Sequence, residues 1–282
     1  VLKEINVPVY GTKLTLGLVE QKLAENNLLS SVELKTVKQS DVIQLGCFKV
    51  EFIRSSHSIA DAVALAIFTP MGIIVHTGDF KIDYTPIEGE PIDLARLAEL
   101  GKRGVLLLMA DSTNAEREGY TMSERTVGQT LDKIFMDSKS RILVATFASN
   151  VHRVQQVINA AVKFNRKVAI CGRSMVNVVN VSMELGYMNV PEGVMIDIDN
   201  INKYPPERLV IITTGSQGEP MSALSRMAAG EHRKVEIVPG DKVINSATPI
   251  PGNEKFVSRV VNDLFKKGAK VIYDALADIH VS

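Results

Sequence analysis

The chain has 282 residues, of which 45 % are hydrophobic, so it can bury a sizeable core in one large or two ordinary domains. Its 32 Lys and Arg residues equal its 32 Asp and Glu residues in number, so the net charge gives no reason to expect binding to nucleic acid or to a membrane. A local basic groove is still compatible with a neutral total charge. The two cysteines, Cys47 and Cys171, lie far apart and fit no metal-knuckle spacing, which indicates packing thiols in a reducing compartment.

The sequence has no apolar run of membrane-spanning length and opens on no signal peptide, so we expect a soluble, cytoplasmic protein without membrane contact. The chain begins at Val1, in what looks like the end of a helix, and stops at Ser282 soon after a predicted strand. Neither end has the polar, low-complexity composition of a natural terminus. The sequence therefore predicts a piece of a longer protein.

Short strands dominate the first part of the chain, up to about residue 110. Turn signals such as Leu45-Gly46 and Pro70-Met71-Gly72 separate several of them. The predicted strands are VPVYG, VELKTV, DVIQLGCFKVEFIRS, AVALAIFT, GIIVHTGDF and GVLLLMADS, and the two clear helices are LTLGLVEQKLAEN and IDLARLAELGKRG. This pattern favours part of a sheet-rich α/β layer structure.

From about residue 120 the pattern changes to strand, loop and helix, repeated. The apolar strands RILVATF, KVAIC, RLVIITT and KVIYDA alternate with amphipathic helices such as SNVHRVQQVINAAVKFN. Buried strands that alternate with helices predict a doubly wound, mainly parallel sheet. Ligands of such sheets bind beyond the carboxyl ends of the strands, where the loops FASNVHR, CGRS and TGSQGEP fall.

Three side chains that can bind metal stand where strands of the first part give way to loops. They are His57, Asp79 and Asp111. Imidazole and carboxylate groups suit zinc or manganese, and a carboxylate can bridge two such ions. Each residue taken alone is more often structural, and Asp111 could simply satisfy backbone N–H groups of the following turn. A dinuclear site also needs more ligands than these three.

Two other histidines have simpler interpretations. His76 lies inside a strand, where a lone histidine is more often a hydrogen-bonded core residue than a ligand, with a supporting role beside a metal ligand as the alternative. His232 lies in the charged stretch GEHRKVE, which predicts a solvated surface residue.

The polar motifs follow one another in an order that resembles a known family. They are FIRSSHSIADA, GIIVHTGDFKID, LLLMADSTNAEREGYTMSE, VATFASNVHRVQQ, AICGRSM, ITTGSQGEPMSALSRMA and DIHVS, and they extend over nearly the whole chain. The series resembles the bacterial ribonuclease J family, in the β-CASP branch of the metallo-β-lactamase superfamily. The resemblance implies an α/β fold with part of the αββα lactamase layer at residues 1–119, an inserted β-CASP domain at 120–275, and the start of the return into the lactamase domain at 276–282.

The resemblance also implies roles for the three strand-end residues. His57 matches the third-motif metal ligand, Asp79 the fourth-motif bridging carboxylate, and Asp111 the acidic residue of the first β-CASP motif. Asp79 and Asp111 would thus be catalytic, with two zinc ions, or manganese, as cofactors of the longer protein. The family's second motif, His-x-His-x-Asp-His, is absent from this chain, so we expect the chain alone not to form the full two-metal site.

A further set of residues is implied to bind RNA. Ser149, Asn150 and His152 match the pocket for an RNA 5′ monophosphate, and they precede a helix N-terminus, which favours an anion. Arg153 would add charge, although Ser149 or Asn150 could equally cap the helix. The remaining candidates are Ser216 and Gly218 in the glycine-rich turn TGSQGEP, and His280 and Ser282 at the start of a phosphate-clasping motif.

These matches predict a metal-dependent ribonuclease that acts as a 5′-to-3′ exonuclease and as an endonuclease, prefers a 5′ monophosphate, and forms a homo-oligomer, a dimer or a tetramer. The first alternative is a non-catalytic RNA-binding or assembly module. A lactamase-type hydrolase of a small molecule would not need the βα segment after residue 120. A dinucleotide-binding enzyme would need a G-x-G-x-x-G after a strand, which this sequence lacks.

Overall fold

A computed structural model describes residues 2–280 except 88, 114, 117 and 275. The chain divides into two compact units, Val1–Ser123 and Glu124–Ser282. In the described part of the chain, no helix combines the length and the hydrophobicity that a bilayer crossing requires.

The first unit contains seven strands and two α-helices in its described residues. They are β1 (Val9–Gly11), α1 (Lys13–Glu25), β2 (Leu34–Thr36), β3 (Val42–Leu45), β4 (Phe48–Arg54), β5 (Val63–Thr69), β6 (Gly72–His76), α2 (Leu94–Arg103) and β7 (Val105–Met109), with a short 3₁₀ helix at Leu29–Ser31. β1 and β2 form a parallel pair, and the other five strands form one sheet in the order β3-β4-β5-β6-β7. Only the β6–β7 pairing of this sheet is parallel.

Neighbouring residues of β4 pack on opposite faces of the five-stranded sheet. Ile53 packs in a cluster with Ala64, Val75 and Leu100 of α2, whereas its neighbour Phe52 packs in a separate cluster. Burying a leucine such as Leu100 completely contributes about 1.5–3 kcal/mol. By contrast, β7 lies at an edge of the sheet, and its residues 106–109 are each about half or more exposed.

The second unit contains six strands and five α-helices in its described residues. They are α3 (Glu124–Met136), β8 (Ile142–Ala145), α4 (Val151–Lys163), β9 (Lys167–Cys171), α5 (Arg173–Glu184), β10 (Met195–Ile196), β11 (Leu209–Thr213), α6 (Ala223–Ala229), β12 (Lys242–Asn245), α7 (Glu254–Lys266) and β13 (Lys270–Ile272), with 3₁₀ turns at Ile198–Lys203 and Pro206–Arg208.

All six strands of this unit pair in parallel, in the order β10-β9-β11-β8-β12-β13. Leu143 and Ile211 lie in a core cluster with Leu224 of α6 and Leu264 of α7. The alternating residues of the same strands face the other side of the sheet, where α4 contacts β9 and β11. The predicted α/β class with a mainly parallel sheet is therefore confirmed, whereas the return of residues 276–282 into the preceding domain stays a prediction.

Helix α3 is missing from the predicted elements, although its sequence carries a helical stripe. Val127, Leu131 and Phe135 recur at four-residue spacing and are fully buried. Gly128 interrupts this stripe and weakens the helical signal. In the structure it lets α3 approach α4 closely, because a Cβ at Gly128 would lie 3.1 Å from Gln156 Nε2.

Candidate functional site

The loops after β8, β11 and β12 meet at the carboxyl edge of the parallel sheet. The Ser246 N–H donates to the carbonyl of Ala145 at 2.8 Å, and the Thr146 N–H donates to that of Thr213 at 3.2 Å. Asn245 Nδ2 donates to the carbonyl of Ser216 at 3.1 Å. These bonds hold the three loops together at the edge where ligands of doubly wound sheets bind.

Helix α4 starts at this edge, directly after β8 and its loop. Asn150 is its N-cap: the buried Oδ1 accepts from the Arg153 N–H at 2.9 Å. Ser149 is exposed and His152 is half buried, so both lie beside the first turn of α4. The capping alternative for Asn150 is thus correct. It is compatible with anion binding, because a helix N-terminus presents further N–H groups and the positive end of the dipole.

Arg153, in contrast, does not supply an exposed positive charge, and this prediction is wrong. Its side chain is 0 % exposed. Nη2 donates to Glu124 Oε2 at 2.6 Å and Nε donates to Gln156 Oε1 at 3.0 Å. A buried guanidinium with these partners is neutralised inside the unit and cannot reach a phosphate on the surface.

Ser216 and Gly218 are also buried, in the loop that follows β11. Gly218 has a φ of +72°, and a Cβ there would lie 2.5 Å from the backbone carbon of Phe256. The glycine therefore permits close packing against α7. Gly218 thus approaches the backbone of α7 closely and not, as predicted, a ligand.

The chain reaches His280 beside the same sheet edge. Ile279 is fully buried, and its carbonyl accepts from Arg153 Nη1 at 2.5 Å and from the Ser246 hydroxyl. His280 follows at once and is half buried. Ser282 lies outside the described residues, so its predicted phosphate contact stays a prediction.

The structure brings His57, Asp79 and Asp111 of the first unit together. His57 Nε2 lies 3.9 Å from Asp79 Oδ2, and the Asp79 side chain is 77 % exposed. The pKa of Asp111 is lowered, first by hydrogen bonds from the side chain and backbone of Thr113, then by the Phe80 N–H and by His57. These neighbours place the Asp111 carboxylate beside the other two strand ends.

Asp111 is also fixed by its own turn. Its Oδ1 accepts from the N–H of Thr113 at 3.0 Å and from the hydroxyl of Thr113 at 2.7 Å. Its N–H donates to Thr77 Oγ1 at 3.0 Å. The turn role considered for Asp111 is therefore present, and it fixes the orientation of the carboxylate.

The donors of this cluster suit a transition metal in kind but not in number. Imidazole and carboxylate are ligands of zinc and manganese. Within residues 2–280, leaving out the four undescribed positions, no group of three or more His, Cys, Asp or Glu side chains could hold a metal ion. The described residues therefore do not amount to a complete metal site.

The two remaining histidines differ from their predictions. His76 ends β6 and is exposed instead of buried, with Nδ1 accepting from the Gly78 N–H at 3.0 Å. His232 is half buried instead of solvated. Its Nδ1 accepts from the N–H groups of Lys234 and Val235, and its Nε2 lies 3.3 Å from Cys171 Sγ. His232 packs against the buried end of β9, and its charged sequence neighbours therefore do not make it a solvated surface residue.

Acidification is expected to destabilise the second unit through His232. Burial first, then Arg226 and Lys234, lower the pKa of this imidazole below its ordinary value of 6.5. A lowered folded-state pKa gives stability that is complete above the unfolded-state pKa and is lost as the pH falls through the folded-state pKa. Urea unfolding of wild type and His232→Gln at about pH 7.5 and about pH 5 checks this. His232→Gln should lose less stability than wild type at the lower pH.

The chain is similar to known proteins along nearly its whole length. Residues 139–264 match the family described as "Ribonuclease J, beta-CASP domain". Over 281 residues the chain is 48 % identical to ribonuclease J of Helicobacter pylori (strain ATCC 700392 / 26695), covering 99 % of this chain and 41 % of that protein. It is 46 % identical to ribonuclease J of Synechocystis sp. (strain ATCC 27184 / PCC 6803 / Kazusa), covering 100 % and 44 %. It is 42 % identical to ribonuclease J2 of Bacillus subtilis (strain 168), covering 100 % and 50 %.

The fold is also similar to a solved structure, a protein of unknown function from Enterococcus faecalis V583. The TM-score is 0.65 at 18 % identity, over 98 % of this chain and 64 % of that one. The chain spans about half the length of the curated relatives it matches. The sequence matches and the α/β architecture agree: residues 139–264 match the β-CASP domain of the ribonuclease J family, and nearly the whole chain is similar to one part of the ribonuclease J proteins.

Proposed function

We propose that this chain is part of a ribonuclease, a hydrolase of RNA, and that its second unit binds the 5′ monophosphate of the substrate. The observation that carries the proposal is the start of α4 at the carboxyl edge of the parallel sheet, with Ser149 exposed and His152 half buried beside it. A phosphate at this edge would accept from N–H groups of the helix N-terminus and from the His152 side chain. The relatives named ribonuclease J support RNA as the substrate class.

We propose in addition that His57 and Asp79 belong to a metal site of a longer protein, with zinc, or else manganese, as the ion. Support comes from their contact at 3.9 Å and from the solvent exposure of Asp79, which leaves its carboxylate open to a further partner. In the longer protein, such ions would supply an activated water and would stabilise charge on the scissile phosphate. Asp111 accepts a hydrogen bond from Thr113 and is influenced by the charge of His57. It would help to orient the His57 and Asp79 side chains, or would accept a proton.

The proposal also includes, from the family resemblance, both 5′-to-3′ exonucleolytic and endonucleolytic cleavage of RNA and a dimeric or tetrameric assembly. The second candidate is a non-catalytic RNA-binding module. The lack of a group of three or more metal-ligand side chains in the described residues favours it for the chain on its own. An assay of RNA cleavage by the purified chain, with added zinc or manganese and with a chelator, separates the two candidates.

The His152→Ala variant should reduce the preference for RNA with a 5′ monophosphate over RNA with a 5′ hydroxyl. Losing one hydrogen bond to a charged group costs about 1.5–3 kcal/mol, which corresponds to about a tenfold to hundredfold change in relative affinity. Fluorescence anisotropy with two RNAs of identical sequence and different 5′ ends measures this preference.

Lys163→Ala is the matched control, because it removes a positive charge from the last turn of the same helix. It should leave the ratio of the two affinities unchanged. A ratio that His152→Ala leaves as in wild type would place the phosphate pocket elsewhere.

A further inference from the structure

Arg153 has the largest fully buried side chain in the described part of the chain, and its guanidinium joins distant segments of the second unit. Nη2 donates to Glu124 Oε2 at 2.6 Å. Nη1 donates to the carbonyl of Ile279 at 2.5 Å and to the hydroxyl of Ser246. The Ser246 hydroxyl in turn donates to the same Ile279 carbonyl.

These partners come from the two ends of the unit. Glu124 is its first residue and begins α3, whereas Ile279 is 126 residues further along the chain than Arg153. Gln156 strengthens the first of these links, because its Nε2 donates to the carbonyl of Glu124 at 2.8 Å while its Oε1 accepts from Arg153 Nε. One charged group thus fixes the beginning and the end of the unit relative to α4.

The same residue adjoins the loop of the proposed phosphate pocket and also His280, the other phosphate-binding candidate beside this sheet edge. Its backbone N–H donates to the capping Asn150 Oδ1 at 2.9 Å, which fixes the loop that contains Ser149. On the other side, the carbonyl that its guanidinium holds belongs to Ile279, directly before His280. The distance between the loop and His280 therefore depends on Arg153.

We propose that Arg153 is a positioning residue for the RNA 5′ monophosphate. It does not touch the phosphate, but it holds the loop of residues 149–152 and His280 at a fixed separation. This inference rests on the proposed function. The planar guanidinium is essential to this role, because its several N–H groups bond Glu124 and Ile279 at the same time. A lysine at this position keeps the charge, but its single compact ammonium group cannot reproduce that geometry.

The test compares Arg153→Lys with Arg166→Lys in the chain as it is. Arg166 is also buried and donates to the carbonyls of Ser138 and Ser140, at 2.6 Å and 2.9 Å. Both substitutions remove a buried guanidinium, but only the first alters the bonds to Glu124 and Ile279. Two quantities are measured: amide hydrogen exchange of residues 149–152 and 276–280, and the affinity ratio for 5′-monophosphorylated and 5′-hydroxyl RNA of one sequence.

Arg153→Lys should speed exchange in residues 276–280 by about tenfold to hundredfold, the factor that corresponds to one lost hydrogen bond to a charged group. Exchange in residues 149–152 should rise less, because the backbone N–H bond to Asn150 is kept. It should also reduce the affinity ratio for the two RNAs by about tenfold. Arg166→Lys should leave both quantities as in wild type. Ser246→Ala serves if Arg153→Lys does not fold, because it removes one donor to the Ile279 carbonyl and should speed exchange only in residues 276–280.

Unchanged exchange of residues 276–280 in Arg153→Lys, or in Ser246→Ala if that variant replaces it, would overturn the inference. So would faster exchange together with an unchanged RNA ratio, provided that the wild-type chain prefers the monophosphate. If the wild-type chain binds both RNAs equally, it is the proposed function that fails. The exchange measurement then decides by itself whether Arg153 holds the two segments.

Discussion

Asp79→Asn should lower the rate of RNA cleavage by several orders of magnitude in a protein of the relatives' length that contains this segment. The substitution keeps the size of the side chain and removes the negative charge of an exposed carboxylate next to His57. If this carboxylate belongs to the proposed metal site, the loss of its charge should lower metal occupancy. Metal content and single-turnover cleavage of the folded variant measure the two effects.

RNA affinity should change far less than cleavage, because contacts to the phosphate backbone supply most of the affinity. Glu20→Gln, an exposed acid on α1, is the control and should keep both metal and activity. An aspartate that served only a turn would cost about 0.5–2 kcal/mol of stability and leave turnover intact in the folded protein. Near-normal turnover in Asp79→Asn would therefore refute the metal assignment.

Glu124→Ala should destabilise the second unit by about 3–5 kcal/mol, because it leaves the buried Arg153 guanidinium without its carboxylate. This is a large part of the roughly 5–15 kcal/mol that stabilises a typical domain. Hydrogen exchange of the β8 peptide at increasing urea concentration reports the free energy of unfolding of this unit without interference from the first.

Asp132→Ala is a control on the same helix. Its carboxylate pairs with Lys163 at the surface, where the Lys163 side chain is 60 % and the Asp132 side chain 37 % exposed. A surface ion pair contributes about 0–1 kcal/mol, so this variant should unfold almost as wild type does. Equal effects of the two substitutions would mean that the Arg153 charge is solvated after all.

Most of the fold of the second unit could be predicted from the sequence because strands and helices alternate at regular intervals. Buried apolar runs such as Ile142–Ala145 and Leu209–Thr213 became the central parallel strands. Helix α3 was missed because Gly128 interrupts its stripe and because its buried face depends on contact with α4. Local propensity alone does not contain that contact.

The candidate site was predictable at the level of residue types and strand ends, not of side-chain environments. The approach of His57, Asp79 and Asp111 follows from three strands of one sheet that end near each other. The burial of Arg153 does not follow from its sequence neighbours, because its partners are far away in the chain. One signal was available: Gln155 and Gln156 follow Arg153 within one turn and are further polar residues that α4 buries among its apolar residues.

The strand order of the second unit has a consequence for its synthesis. β8 pairs with β11 and β12, so its ladder partners are the strands Leu209–Thr213 and Lys242–Asn245. A ribosome adds about 5–20 residues per second, so this apolar strand spends several seconds outside the tunnel before either partner emerges. The nascent chain therefore passes through a stage in which a strand that is fully buried in the folded unit is open to aggregation. Chaperone demand during translation should end only when β12 has left the ribosome.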